Sequence, residues 1–188
     1  MKLLLDFPTI GEPHYAQALP AQMLRDRQLK MYSLKDNKDP YAVKTEMKTR
    51  VERSGKVVHV LMTSVRSHFM PDKIEGIQLG DTVYFHLTNL EQDWDVPHGF
   101  AITGANNSEL LMMPGQTRTI MWVPQRIGVF PFYCTDFCSA LHQEMAGYAR
   151  VSPAGSNVPL TANVSARAAS QVARMQKIPA APASGAGQ

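Results

Sequence analysis

Two cysteines, a histidine and a methionine fall at Cys134, Cys138, His142 and Met145, within the stretch FYCTDFCSALHQEM. They are the only two cysteines in the chain, and their spacing is Cys-x3-Cys-x3-His-x2-Met. Two cysteines are too few for a disulfide scaffold, so their clustering points to metal or redox chemistry. Thiolate and thioether ligands favour copper in its lower oxidation state, while imidazole suits either state. A mononuclear blue-copper centre takes two imidazoles, one thiolate and a weak axial methionine. This stretch holds one thiolate more. A second thiolate lets both sulfurs bridge two metal ions, each then needing one imidazole and one weak ligand.

His142 supplies one imidazole, and the candidate for the other is His98 in DWDVPHGF, just ahead of a strand-like run. Two other readings of the cysteines stand beside copper. A structural zinc site is one, although zinc takes tetrahedral Cys and His sets and does not recruit methionine. A local Cys134–Cys138 disulfide in the metal-free, oxidised protein is the other.

The elements around these residues read as strands. VVHVLMTSV (57–65) is rich in β-branched residues, and GDTVYFHLTN (80–89) alternates after a turn signal. GFAITG (99–104), TRTIMWV (117–123), GVFPFYC (128–134) and GYARVS (147–152) continue the series, separated by Gly, Asn and Pro-Gly punctuation. Short strands at this spacing, with no long helical pattern between them, predict a mostly β domain over 57–152, an antiparallel β-sandwich. The Cys/His/Met stretch then joins two neighbouring strands at one end, where a rigid scaffold holds a ligand loop. Residues 1–56 read as an irregular N-terminal segment and charged linker, with one short helix within 16–32. Residues 153–188 hold no acidic residue and ten alanines. They read as a largely disordered tail with a short helix around 164–176.

Composition excludes several functions. The 188 residues carry a formal net charge of +3, too small for a nucleic-acid binder. Ten of the nineteen basic residues lie between Arg25 and Lys56, but five acids are interspersed there, as on a solvated face. No apolar run reaches the roughly 18 residues of a membrane helix. The opening MKLLLDFPTI lacks the apolar length of a signal peptide. No nucleophile elbow or phosphate loop supports a hydrolytic enzyme. His86 alternates within a strand and reads as structural. His59 and His68 carry no motif, and Met112 and Met113 read as packing residues.

The ligand stretch after an aromatic-rich strand, with PHGFAITG upstream, resembles the binuclear CuA site on a Greek-key cupredoxin fold. Nitrous-oxide reductase and subunit II of the haem-copper oxidases both carry that site. CSALHQEMAGYARV and PHGFAITG resemble the C-terminal part of nitrous-oxide reductase, and DFPTIGEPHYAQ resembles the segment leaving its N-terminal propeller. The resemblance runs through about residues 1–152. It implies that His98 and His142 each bind one copper, that Cys134 and Cys138 bridge both, and that Met145 is a weak ligand. The opposite weak ligand is the backbone carbonyl of Asp136, where better-known members carry Trp and oxidase subunits carry Glu. A carbonyl ligand needs no particular side chain, so Asp136 keeps the site intact but removes an aromatic route for electrons. The aromatic and aliphatic residues Phe100, Phe132, Phe137 and Leu141 are candidates for a dry wall around the sulfurs.

The resemblance also implies a periplasmic electron carrier of denitrification, with two copper ions as CuA. A small cytochrome c or cupredoxin would be its donor, and a propeller carrying the catalytic CuZ cluster, on another chain or subunit, its acceptor. The full-length family works as a homodimer. His14 falls where the family has a CuZ ligand, but His59, His68 and His86 are too few to rebuild that cluster. The expectation is therefore part of an oxidoreductase that transfers electrons without a catalytic centre of its own. The alternative is a soluble CuA domain of cytochrome c oxidase subunit II. A copper chaperone or storage protein without a redox task is a third reading.

Overall fold

The computed structural model describes residues 34–92, 96–105 and 109–165. His14, the expected N-terminal helix and the expected tail helix with the rest of the tail after Ser165 lie outside them. Among the described residues, eleven strands form two sheets. They are β1 (Arg50–Ser54), β2 (Val57–Val65), β3 (His68–Met70), β4 (Lys73–Gln78), β5 (Thr82–Asn89), β6 (His98–Ile102), β7 (Leu110–Met112), β8 (Thr117–Trp122), β9 (Gly128–Tyr133), β10 (Ala146–Ser152) and β11 (Thr161–Asn163). One sheet runs β1-β2-β5-β8, with β3 added beside β2. The other runs β11-β4-β10-β9-β6-β7.

Period-two alternation decides which side chains meet between the sheets. In β5, Val83, Phe85 and Leu87 point inward and are fully buried. In β9, Phe130 and Phe132 point inward while Val129, Pro131 and Tyr133 face out. Phe69 and Phe100 meet edge-to-face at 5.5 Å, Phe100 lies 5.4 Å from Phe132, and Trp122 lies 5.0 Å from Phe130. Edge-to-face pairs of this kind add about 0.5–1.5 kcal/mol each beyond their area burial. This aromatic layer ends beneath the loop that leaves β9 at Cys134.

The sandwich is a cupredoxin-like one, with two departures from the sequence reading. Its sheets are mixed: β2 pairs parallel with β5 and β4 with β10, while the remaining pairs are antiparallel. Strands adjacent in space are here distant in sequence, and alternation within a strand carries no information about its partner's direction. The second departure concerns the expected linker. Arg50–Ser54 forms a hairpin with β2 through Gly55, whose φ of 59° suits glycine. Its RVERS sequence reads as linker because an edge strand that is mostly exposed, with only Val51 half-buried against the core, needs no apolar alternation, and charge there blocks unwanted pairing. Ahead of it, residues 37–43 lie as a strap on the outer face of the β2–β5–β8 sheet. The Asn37 side chain donates to Gly115 O and Thr117 Oγ1, each at 2.8 Å, and Val43 N–H donates to Thr88 Oγ1 at 3.0 Å. This strap buries Val43 and completes the burial of His86 and Thr88 on that face. Beyond the domain's expected end at Ser152, β11 pairs antiparallel with β4, and Ser165 is held by both oxygens of Asp72.

Candidate metal centre

The ligand loop is fixed at both ends by the strands that carry it. β9 and β10 pair antiparallel down to Tyr133 opposite Ala146, and Cys134 N–H then donates to Met145 O at 3.0 Å. Closure at the base forces the intervening residues into a tight excursion. Its far side is a 3-10 turn, His142–Glu144, with Met145 N–H returning to His142 O at 3.0 Å. A hydroxyl pair, Ser67 Oγ and Ser139 Oγ at 2.9 Å, ties the loop to the β2–β3 turn.

His98 arrives from the other direction. β6 pairs antiparallel with β9, Ala101 opposite Tyr133, so the start of β6 runs alongside the start of the loop. The approach is close: a side chain at Gly99 would run into Thr135 Oγ1 and would stand 2.9 Å from Asp136 N. Only glycine admits the loop at this distance.

Four distances describe the site. Cys134 Sγ lies 3.8 Å from His98 Nδ1 and 3.2 Å from Asp136 O. Cys138 Sγ lies 3.9 Å from His142 Nδ1 and 3.8 Å from Met145 Sδ. Each sulfur therefore has one imidazole nitrogen and one weak donor beside it. Among the described residues, His98, Cys134 and Cys138 form the one group of three or more His, Cys, Asp or Glu with ligand atoms mutually within 4.8 Å. Metal–nitrogen bonds are about 2.0–2.1 Å and metal–sulfur bonds about 2.3 Å. Donors sharing one ion then stand between about 3 and 4 Å apart, a range that the four separations above meet, while His142 stands beside Cys138 and outside the group of three. Both cysteines are free, against the disulfide reading.

Electrostatics prepare the thiols for metal. The Cys134 thiol is held down at about 4, first by the hydrogen bond from Cys138, against the opposing effect of burial, and further by His98. Cys138 is pushed up because its proton is the one Cys134 accepts, and burial adds to this. The metal-free pair thus holds one proton and one preformed thiolate, and loading a metal has one remaining thiol proton to displace.

Sequence reasoning missed Glu91. Its Oε1 lies 3.2 Å from His98 Nε2, and it also accepts from Arg66 N–H at 2.6 Å. Burial favours the neutral acid, but the His98 and Arg66 hydrogen bonds and the Arg66 charge outweigh it and hold Glu91 ionised. Burial is the largest single effect on His98 and lowers it, but the hydrogen bonds and charges of Cys134 and Glu91 together outweigh it and leave His98 raised. A carboxylate accepting at Nε2 leaves the Nδ1 lone pair turned toward the sulfurs. Asn89 sets the loop that brings Glu91 there: its amide donates to Val96 O at 3.1 Å and Met112 O at 3.0 Å, and its Oδ1 accepts from Glu91 N–H. No periodicity marks either residue.

The expected dry wall divides in two. Phe100 and Phe132 are fully buried behind the site, whereas Phe137 and Leu141 are 46% and 49% exposed and form its rim. A loop crest has no second layer over it, so apolar residues there stay in water. Phe137 stacks on the His142 ring at 5.1 Å and 27°. Burial and the Cys134 thiolate raise the Asp136 carboxyl. Met112 packs in the core, as expected, while His59 and His86 lie under the strap, far from any cysteine in the topology.

No family model matches the chain. Among curated proteins it is 34% identical over 165 residues to nitrous-oxide reductase of Stutzerimonas stutzeri, which covers 82% of this chain and 25% of that protein. It is 37% identical over 145 residues to the nitrous-oxide reductase of Cupriavidus necator, covering 77% of this chain and 22% of that protein. Cytochrome c oxidase subunit 2 of Thermus thermophilus is 35% identical over 80 residues, 42% of this chain and 54% of that protein. Among solved structures, a chain of a heme-copper terminal oxidase dimer superposes with a TM-score of 0.49 at 20% identity, over 73% of this chain and 96% of that one. Fold and site together define a CuA-type cupredoxin domain with a His/Cys/Cys group whose donors suit copper. Within that class the chain is a homologue of nitrous-oxide reductase, an oxidoreductase family, and it spans about a quarter of the length of the members it matches.

Proposed function

We propose that His98, Cys134, Asp136 (through its carbonyl), Cys138, His142 and Met145 hold a binuclear copper centre, and that the chain is the electron-transfer part of a nitrous-oxide reductase. The observation that carries this is the doubled half-site: each sulfur has its own imidazole and its own weak donor, at 3.2–3.9 Å. A single-ion centre would leave one cysteine and one histidine without a task. Two copper ions held by these residues would supply one-electron chemistry with little change in geometry between oxidation states.

The chain's own residues serve that chemistry by holding still. Glu91 and the Gly99–Thr135 contact fix His98, the Cys134–Met145 bond closes the loop, and the buried aromatic layer keeps water from the inner side of the sulfurs. The rim of Phe137 and Leu141, with the half-exposed His142 edge, is where a donor makes its approach. The donor in this reading is a small periplasmic cytochrome c or cupredoxin. The acceptor is a CuZ cluster in a propeller on another chain or subunit, within a homodimer of the longer protein; His14 would be a CuZ ligand only in that setting. A CuA domain of oxidase subunit II shares the site, but its likeness stops at 42% of the chain whereas that to the reductases reaches 82%.

Copper reconstitution followed by metal analysis and electron paramagnetic resonance tests the proposal. Two coppers per chain, with the hyperfine pattern of one electron shared by two equivalent copper nuclei, is the expected result. One copper with a single-nucleus pattern would remove the bridging role of the cysteines.

A further inference from the structure

Away from the cysteines, two histidines meet end to end under the strap. His59 on β2 and His86 on β5 project from the outer face of their sheet, where the two strands run parallel. His59 Nδ1 and His86 Nε2 face each other at 2.9 Å. The ring centroids stand 5.2 Å apart at an interplanar angle of 10°, so nearly all the remaining separation is the two ring radii. The rings are therefore coplanar and collinear, with one proton between them. On the far side, His86 Nδ1 is bound to Thr119 Oγ1 at 2.8 Å, which turns Nε2 toward His59. Tyr41 from the strap stacks on His86 at 3.8 Å, and Tyr84 flanks His59 at 5.4 Å.

We propose that this pair is a second metal site, taking one monovalent d10 cation, Cu(I), in two-coordinate linear geometry between His59 Nδ1 and His86 Nε2. The axis is already set, and the anchored Nδ1 of His86 is the arrangement by which metal-binding histidines are oriented. Two metal–nitrogen bonds of about 2.0 Å need roughly 4 Å between the nitrogens, so the rings must part by about 1 Å. His59 is only half-buried, whereas His86 is buried and anchored on Thr119, so that displacement falls to His59. Binding releases no proton: the hydrogen between the rings moves to His59 Nε2, and each neutral imidazole offers one lone pair.

Several features select the ion. Zinc wants four ligands, and no third donor of the His, Cys, Asp or Glu type joins the pair among the described residues. A single charge is less costly to bury than a double one. Asp39 and Glu52 place negative charge near His86, and Tyr41 lays a ring face over it. Burial and the neighbouring His59 hold His86 down at about 4, so protons do not compete for the site at neutral pH.

Silver(I), a redox-inert probe of Cu(I) sites, tests this on the full chain with its cysteine site loaded. After removal of loosely held ions, wild type should retain one more Ag(I) per chain than His59→Gln, and the His59 and His86 ring nitrogen resonances should shift on titration. His86→Gln should match His59→Gln if it folds, and the half-buried His59 keeps the test informative if it does not. Silver taken by the cysteines is common to both proteins and cancels, so the outcome is independent of what the cysteine site holds. Equal silver uptake in wild type and His59→Gln, or ring signals that do not move, would overturn the proposal. Uptake of Zn(II) in place of Ag(I) at the pair would overturn the two-coordinate assignment.

Discussion

Glu91 and His98 meet at 3.2 Å through Oε1 and Nε2, and the opposite nitrogen of the same ring faces Cys134 Sγ at 3.8 Å. One buried carboxylate thereby decides which lone pair of His98 is offered to a metal. Replacing Glu91 by Ala removes that decision and leaves the ring to rotate. Copper affinity should fall by about 10–100-fold, the usual cost of losing such a partner. A chelator-competition titration reads it, and unchanged affinity would show that strand packing alone orients the ring.

The metal-free dithiol has a signature of its own. Cys134, at about 4 against an ordinary thiol value of 9.0, should be a thiolate at neutral pH while Cys138 stays protonated. Thiolate absorbance of the reduced apoprotein should therefore fall on acidification toward pH 4 and be lost in Cys134→Ser. The sign for stability follows from linkage. Between about 4 and 9 the unfolded thiol binds more protons than the folded one, so the contribution of Cys134 grows as pH rises through that window. It is complete above the unfolded value and lost as pH falls through the folded one.

Gly99 sits where the ligand loop comes closest to β6. A methyl group there would meet Thr135 Oγ1 and stand 2.9 Å from Asp136 N, a backbone atom held by the loop. Gly99→Ala should displace the loop, destabilising the fold by about 1–3 kcal/mol and weakening copper binding together with it. Denaturant unfolding with and without copper separates the two effects. A fully tolerated substitution would mean that the loop yields at no cost.

Asn89 is fully buried and serves three backbone groups: Val96 O, Met112 O and Glu91 N–H. Asn89→Ala should cost about 1–3 kcal/mol for each group left unpaired and out of reach of water. It should also loosen Glu91, so copper affinity falls with stability. Amide hydrogen exchange in the 90–97 stretch should rise most.

How much was legible varies with the kind of residue. Val57–Val65 reads as a strand because β-branched residues fill it, and the structure gives those bounds. Thr82–Asn89, Thr117–Trp122 and Gly128–Tyr133 follow from alternation in the same way. Arg50–Ser54 escaped because an exposed edge strand needs no pattern, and Lys73–Gln78 because its Gly76 interrupts the alternation to let Pro159 and Leu160 approach. At the metal centre, Cys134, Cys138, His142 and Met145 announce themselves by type and spacing, since a short loop must carry its ligands close together in sequence.

What the sequence determined by itself was the candidate donor set, because metal preference resides in atom type and a loop between paired strands leaves its ligands few places to go. The pairing directions of the strands, the carboxylate behind His98, the glycine that admits the loop and the end-to-end histidines under the strap were decided by tertiary structure alone. Each is a contact between residues distant along the chain, and distance across a folded sheet has no period for a sequence to display.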